Sequence, residues 1–309
     1  MSTRRRIVIS EFMDAPSVER LREAHDVLYD PALVDDAPRL AGEAARADAL
    51  IVRNRTQVRG ELLAALARAR VIGRLGVGLD NIDVAACEAR GIRVLPASGA
   101  NALSVAEYVI ACALTLLRGA YASSAQVAAG AWPRAALGNG REAGGKTLGL
   151  IGYGSIGQLT ASLARGVGLR PVVHDPMLAP PDPALAHVQA LSLDELLARA
   201  DVVSLHVPLV DATRRMIDAR RIARMKPGAV LINSARGGIV DEAALAAALL
   251  SGHLGGAALD VFEAEPLPAG SPLADCPNLL LTPHVAGVTR ESNERVSEMI
   301  ALRVLEALG

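Results

Sequence analysis

The chain has 309 residues, 51% apolar and 21% charged, and its 32 Lys+Arg against 33 Asp+Glu leave a formal net charge of −1. This composition supports a folded core and excludes a disordered chain, and near-neutrality excludes nucleic-acid binding by bulk attraction. At roughly 100–200 residues per domain, the length fits two domains or one large α/β unit.

Taken in chain order, short apolar runs at 7–10, 27–29, 49–52, 71–74 and 93–95 have the length and flanks of buried parallel strands. Segments between them, such as 17–24 and 60–69, carry apolar residues at helical spacing. A long helix is predicted over 104–117, followed by an irregular stretch with Gly130, Trp132, Pro133, Gly138 and Gly140. A second strand series follows at 147–151, 171–174, 201–205, 229–232, 256–259 and 279–281. The Ala-rich segment 243–250 reads as a helix with Asp241 as N-cap and Gly252 as its stop. In 290–308, Val296, Met299, Ile300, Leu302, Val304 and Leu305 suit an amphipathic helix. Alternation of this kind predicts an α/β protein with two doubly wound parallel sheets.

Cys87, Cys112 and Cys276 have neither disulfide-framework nor metal-ligand spacing, which points to a reducing compartment. Arg4-Arg5-Arg6 precedes only Ile7-Val8-Ile9, too short an apolar stretch for a signal peptide. The longest apolar stretch, 109–117, is about half a membrane span. The expectation is a cytoplasmic protein that engages neither membrane nor nucleic acid and binds no metal.

The strongest local motif is Gly152-Tyr153-Gly154-Ser155-Ile156-Gly157, directly after the predicted strand 147–151 and opening a helix. Gly152 permits a tight turn, Gly154 lets backbone approach a pyrophosphate, and Gly157 lets helix and strand pack closely. The helix N-terminus then offers N–H groups and partial positive charge to phosphate. Asp175 ends the next predicted strand, where a carboxylate accepts both ribose hydroxyls of NAD and repels the extra phosphate of NADP. NAD is the expected cofactor.

Three later segments sit at the carboxyl ends of predicted strands, where doubly wound sheets keep their ligand crevice. They are Asn233-Ser234-Ala235-Arg236-Gly237-Gly238, Asp260-Val261-Phe262-Glu263-Ala264-Glu265-Pro266 and Thr282-Pro283-His284-Val285-Ala286-Gly287. With Arg74-Leu75-Gly76-Val77-Gly78-Leu79-Asp80-Asn81, Ser104-Val105-Ala106-Glu107 and Gly145-Lys146-Thr147-Leu148-Gly149, these blocks resemble the D-isomer-specific 2-hydroxyacid dehydrogenases over nearly the whole chain.

The resemblance implies that Arg236 holds the substrate's carboxylate and 2-oxygen, a task suited to a planar guanidinium. It implies that His284 is the acid/base, oriented by Glu265. Asp260 would contact the nicotinamide amide, and N–H groups near Val77 and Gly78 would complete the carboxylate pocket. Ser155 and Ile156 would meet the pyrophosphate, while Val207, Ser234, Ala235, Arg236, His284, Ala286 and Gly287 would line the cofactor. His25, His174, His187, His206 and His253 are read as structural. The implied layout is a flavodoxin-like substrate domain, 1–98 with 288–309, interrupted by a Rossmann cofactor domain, 99–287. A homodimer through helix 104–117 of the cofactor domain and a cleft that closes on substrate are also implied.

Arg53 and Arg55 follow the predicted strand 49–52. Two residues apart on an extended segment, they would point the same way and suit a second anionic group. The segment 283–293 and the opening Ile9-Ser10-Glu11-Phe12-Met13-Asp14 resemble the (S)-sulfolactate dehydrogenases within the family. The expected reaction is NAD-dependent oxidation of (S)-3-sulfolactate to 3-sulfopyruvate. A 3-phosphoglycerate dehydrogenase in short form, without C-terminal regulatory domains, or a hydroxypyruvate reductase are the enzyme alternatives. An NAD-sensing, corepressor-like protein is the non-enzyme alternative.

Overall fold

The computed structural model describes residues 4–178 and 181–309. The chain forms two compact units, Met1–Asn101 with Val288–Gly309, and Ala102–Gly287. In the first, β1 (Arg6–Ile9), β2 (Asp26–Tyr29), β3 (Ala49–Val52), β4 (Val71–Arg74) and β5 (Arg93–Pro96) form a parallel sheet in the order β2-β1-β3-β4-β5. This is the flavodoxin-like order. Alternate residues bury opposite faces, as a sheet covered on both sides requires. Ile7, Ile9, Ile51 and Val71 pack with Ile300 and Val304 of helix Arg290–Leu308, while Val8, Leu50, Val52 and Ile72 pack with Leu33, Leu63 and Ile82. Gly73 admits that helix, since a Cβ there would lie 2.7 Å from Ile300 Cγ2.

The second unit contains β6 (Thr147–Ile151), β7 (Arg170–His174), β8 (Gln189–Ala190), β9 (Val202–Leu205), β10 (Ala229–Asn233), β11 (Leu254–Leu259) and β12 (Leu279–Leu281). All pair in parallel in the order β12-β11-β10-β9-β6-β7-β8. The order reverses on either side of β6, which places the ligand crevice of this unit at the carboxyl ends of β6 and β9. Both units are therefore doubly wound parallel sheets, in agreement with the strand–helix alternation.

Two local differences from the sequence expectation have physical causes. Strand β8 has two exposed residues and too little length to show a period. Helix Gly60–Ala65 ends four residues before the predicted 69. There the Arg90 side chain donates to the Leu63 and Leu66 carbonyls and Leu66 turns into the core, 1% exposed. Helix Ala102–Arg118 buries Val109, Ala113, Leu116 and Leu117 within its own unit and exposes Leu103, and Tyr121, Val127 and Trp132 are exposed in the segment that follows it. No single helix among the described residues is long and apolar enough to cross a membrane.

Candidate active site

The glycine turn follows β6. Gly152 has φ +94°, and a Cβ there would lie 2.5 Å from the His206 carbonyl oxygen. A Cβ on Gly157 would lie 2.5 Å from the Gly152 carbonyl oxygen, whereas one on Gly154 would meet nothing within 4 Å. Two of the glycines are thus required by close backbone packing, and the middle one leaves space for a ligand. Gly154 is the N-cap of helix Ser155–Gly166 and supplies no side chain to its first-turn N–H groups. Ser155 is exposed and Ile156 half-buried. An anion at this end is favoured by the N–H groups and the helix dipole together.

Asp175 directly follows β7 and is pinned beside the turn. Its Oδ2 accepts from Tyr153 N at 2.8 Å and its Oδ1 from Met177 N at 2.9 Å. Each oxygen retains a lone pair for a hydroxyl. Ser234 Oγ is buried without a hydrogen-bond partner, the state of a polar group built to meet a ligand. Val207 is half-buried against the core. These residues fit a dinucleotide.

A second cluster grows from the ends of β10, β11 and β12. Asn233 closes the turn after β10: its Oδ1 accepts from Ala235 N at 3.1 Å and its Nδ2 donates to Arg236 O at 2.9 Å. The Arg236 side chain donates back to Ala235 O through Nη1. Gly237 packs against the backbone of Phe262, where a Cβ would fall 1.7 Å from the carbonyl oxygen. Phe262 N in turn donates to Glu265 Oε1 at 3.1 Å. The other oxygen of Glu265 lies 2.8 Å from His284 Nδ1. Backbone contact thereby brings the Arg236 turn against the Glu265 turn, and a side-chain hydrogen bond joins Glu265 to His284. With Nδ1 engaged, the exposed ring presents Nε2 for proton exchange.

His284 has φ +55°, a left-handed conformation uncommon outside glycine. It is over-determined by its surroundings, since His284 N donates to Asp260 O at 2.9 Å and Thr282 O at 3.0 Å. The Asp260 side chain, 1% exposed, does more for this loop than the sequence indicated. Its carboxylate accepts from Thr282 Oγ1 at 2.6 Å, Val285 N at 2.8 Å and Ala286 N at 2.8 Å. Tyr108 Oη lies 2.8 Å from Thr282 Oγ1 and extends the network to helix Ala102–Arg118. Burial raises the Tyr108 phenol above its ordinary range and holds the neighbouring Cys112 thiol at about 11, so both stay neutral at pH 7 and act as fixed dipoles. Sequence reasoning had assigned no role to Asn233, Gly237, Thr282 or Tyr108. Asn233 and Gly237, flanking the Arg in a glycine-rich exit, carried the legible hint.

In the first unit, Val77 is 38% exposed and Gly78 half-buried in the loop after β4. Arg53 and Arg55 do not point the same way, which corrects the sequence expectation. The extended backbone ends at Val52 and residues 54–56 bend, so the two-residue period of a strand no longer applies. Arg55 turns to the surface and pairs with Asp35. Arg53 is half-buried, with Nη2 donating to Asn293 Oδ1 at 2.7 Å.

Among the remaining histidines, His174 Nδ1 meets Leu191 O and His253 Nε2 meets Ile222 O, each at 3.0 Å, and His25 Nδ1 accepts from Arg5 N at 3.3 Å. His206 Nε2 lies 3.1 Å from Ser204 Oγ. Burial pushes its pKa down to about 4. The unfolded chain then binds this proton near pH 6.5 and the folded chain only near 4, so the contribution to stability is complete above 6.5 and disappears as pH falls between these values. His206→Gln should remove on the order of 3 kcal/mol of that acid sensitivity, read as a flatter urea-midpoint profile from pH 7 to 4. An unchanged profile would assign the acid sensitivity elsewhere. Among the described residues, no group of three His, Cys, Asp or Glu is placed to hold a metal ion.

The model of the D-isomer specific 2-hydroxyacid dehydrogenase NAD binding domain matches residues 110–286. An (S)-sulfolactate dehydrogenase from Chromohalobacter salexigens is 54% identical over 304 residues, 98% of either chain. A D-3-phosphoglycerate dehydrogenase from Mycobacterium tuberculosis is 42% identical over 89% of this chain, which spans 52% of that relative's length. Among solved structures, the TT0316 protein from Thermus thermophilus matches with a TM-score of 0.89 at 36% identity, covering 98% of this chain and 96% of that one.

Proposed function

The chain belongs to the D-isomer-specific 2-hydroxyacid dehydrogenases and is an NAD-dependent oxidoreductase, and from that premise we propose that it oxidises (S)-3-sulfolactate to 3-sulfopyruvate. The observation that carries the substrate is the 54% identity to an (S)-sulfolactate dehydrogenase, sustained over 98% of both chains. A half-buried guanidinium at Arg53 supports it, because the acid carries a second anion beyond its reacting carbon.

NAD, when bound, would supply the hydride acceptor for C2 of the hydroxy acid. The backbone of Gly152, Gly154, Ser155, Ile156 and Gly157 would hold its pyrophosphate and Asp175 its ribose hydroxyls. Val207, Ser234, Ala235, Ala286 and Gly287 would line the remainder, with Asp260 fixing the 282–286 loop. Arg236 grips the carboxylate and 2-oxygen through two N–H donors. N–H groups at Val77 and Gly78 add to the carboxylate contacts. His284 Nε2 takes the hydroxyl proton as the C2–H bond breaks and returns it in the reverse direction. Glu265 holds Nδ1 and stabilises the imidazolium that forms. Arg53 pairs with the sulfonate.

The exposed Tyr121, Val127 and Trp132 support a homodimer through the second unit. Three free cysteines suit a reducing compartment, and we place the enzyme in the cytoplasm.

Specificity constants with NAD for sulfolactate, 3-phosphoglycerate, glycerate and D-lactate test the substrate. Sulfolactate should rank first. Arg53→Ala should lower the constants for sulfolactate and 3-phosphoglycerate, the two acids with a second anionic group, roughly ten- to a hundredfold and leave D-lactate nearly unchanged. A first rank for 3-phosphoglycerate, which the 42% identical relative is named for, would replace the substrate and retain the mechanism. Equal losses on every acid would remove Arg53 from substrate binding.

A further inference from the structure

Glu11 is 4% exposed in the first unit, just beyond β1. Its carboxylate is the hub of the segment that follows β3: Oε1 accepts from Arg53 N at 2.8 Å and Thr56 N at 3.0 Å, and Oε2 accepts from Arg55 N at 3.1 Å. Asn81 closes the same segment from the other side, its Nδ2 donating to Thr56 O at 2.7 Å and Arg53 O at 3.2 Å. Three convergent backbone N–H groups are the usual makings of an anion nest. Here a resident carboxylate fills it, so the turn cannot offer these N–H groups to a substrate anion.

The side chain of Arg53 leaves this turn under two further restraints. Asn293 Oδ1 accepts from Nη2 at 2.7 Å, and the Phe12 ring lies 5.9 Å from Cζ. Phe12 is 48% exposed, so one face of the cation–π pair is open to solvent. Burial lowers the Arg53 pKa from its ordinary value, and the charge of Glu11 opposes that shift.

We propose that Glu11 is a positioning residue for substrate specificity: by occupying the 53–56 turn it sets the direction of Arg53, with Asn293 and Phe12 holding the guanidinium for the second anion of the substrate. The inference rests on the reading of Arg53 as the residue that meets that anion. It assigns selectivity to a buried carboxylate that itself touches no substrate. It also explains why Arg53 and Arg55, though two residues apart, serve different ends: the turn wrapped around Glu11 sends one to Asn293 and the other to Asp35.

The test compares KM and kcat for sulfolactate and D-lactate in the full-length enzyme and its variants. Glu11→Ala should raise KM for sulfolactate by roughly tenfold, equivalent to about 1.4 kcal/mol, with kcat and the D-lactate constants nearly unchanged. Glu11→Gln, which keeps one accepting oxygen, should fall between wild type and Glu11→Ala. Asn293→Ala, outside the core, should raise KM for sulfolactate several-fold in the same selective way, and it decides the matter if Glu11→Ala does not fold. Parallel loss on both acids, or an unchanged sulfolactate KM in Asn293→Ala, overturns the inference. Arg53→Ala separates the two claims. If that variant is selective and the Glu11 and Asn293 variants are not, only the positioning role fails. If it is unselective, the underlying reading of Arg53 fails.

Discussion

His284→Asn lowers kcat/KM for 2-hydroxy-acid oxidation by roughly 10²–10⁴-fold, the range associated with loss of a positioned general base. Asparagine is the informative replacement because His284 sits at φ +55°, a conformation that asparagine tolerates better than most residues. The loop, held by Asp260 and Thr282 through the N–H of residue 284, should keep its shape, so the loss reports on the imidazole. A variant that keeps wild-type kcat/KM would move the proton acceptor to another group.

Gly237→Ala is expected to cost as much without touching a reacting group. Its Cβ would fall 1.7 Å from Phe262 O, 2.2 Å from Phe262 C and 2.9 Å from Glu263 N. All three are backbone atoms, so no side-chain rotation relieves the collision. The Arg236 turn and the Glu265 turn must move apart, by about the 1 Å displacement that can cost on the order of 10²-fold in rate. Phe262 N donates to Glu265, and the shift therefore reaches the carboxylate that holds His284. The expected result is a hundredfold-scale fall in kcat/KM with a lower thermal midpoint. Gly42→Ala, in helix Ala37–Ala44 with no atom within 4 Å, is the matched control and should leave activity unchanged. Wild-type kinetics in Gly237→Ala would mean that the two turns are not mechanically linked.

The buried organisation of Asp260 shows how a residue can be found for one reason and matter for another. The family resemblance marked it as a contact of the nicotinamide. Its three hydrogen bonds to Thr282, Val285 and Ala286 make it a scaffold for the His284 loop as well. A single satisfied carboxylate at this position gives the loop a rigid base, as a site built for a defined transition-state geometry requires.

Much of this protein was legible locally. Strands at 49–52, 71–74, 147–151 and 279–281 coincide with β3, β4, β6 and β12, because short apolar runs between turn residues leave few alternatives to a doubly buried strand. Asp241 caps helix Glu242–Leu250 by accepting from Ala244 N, and Gly252 stops it at φ +73°, since both effects act within one turn. The glycine motif, Asp175 and the Arg236, Glu265 and His284 segments were visible for the same reason: a few adjacent residues carry each of them. What tertiary structure alone decided are the partners. Glu11 meets Arg53 across 42 positions, Arg55 meets Asp35 across 20, and Tyr108 meets Thr282 across 174. Hydrogen-bond direction depends on which turns the packed sheets bring together, and no local period encodes that choice.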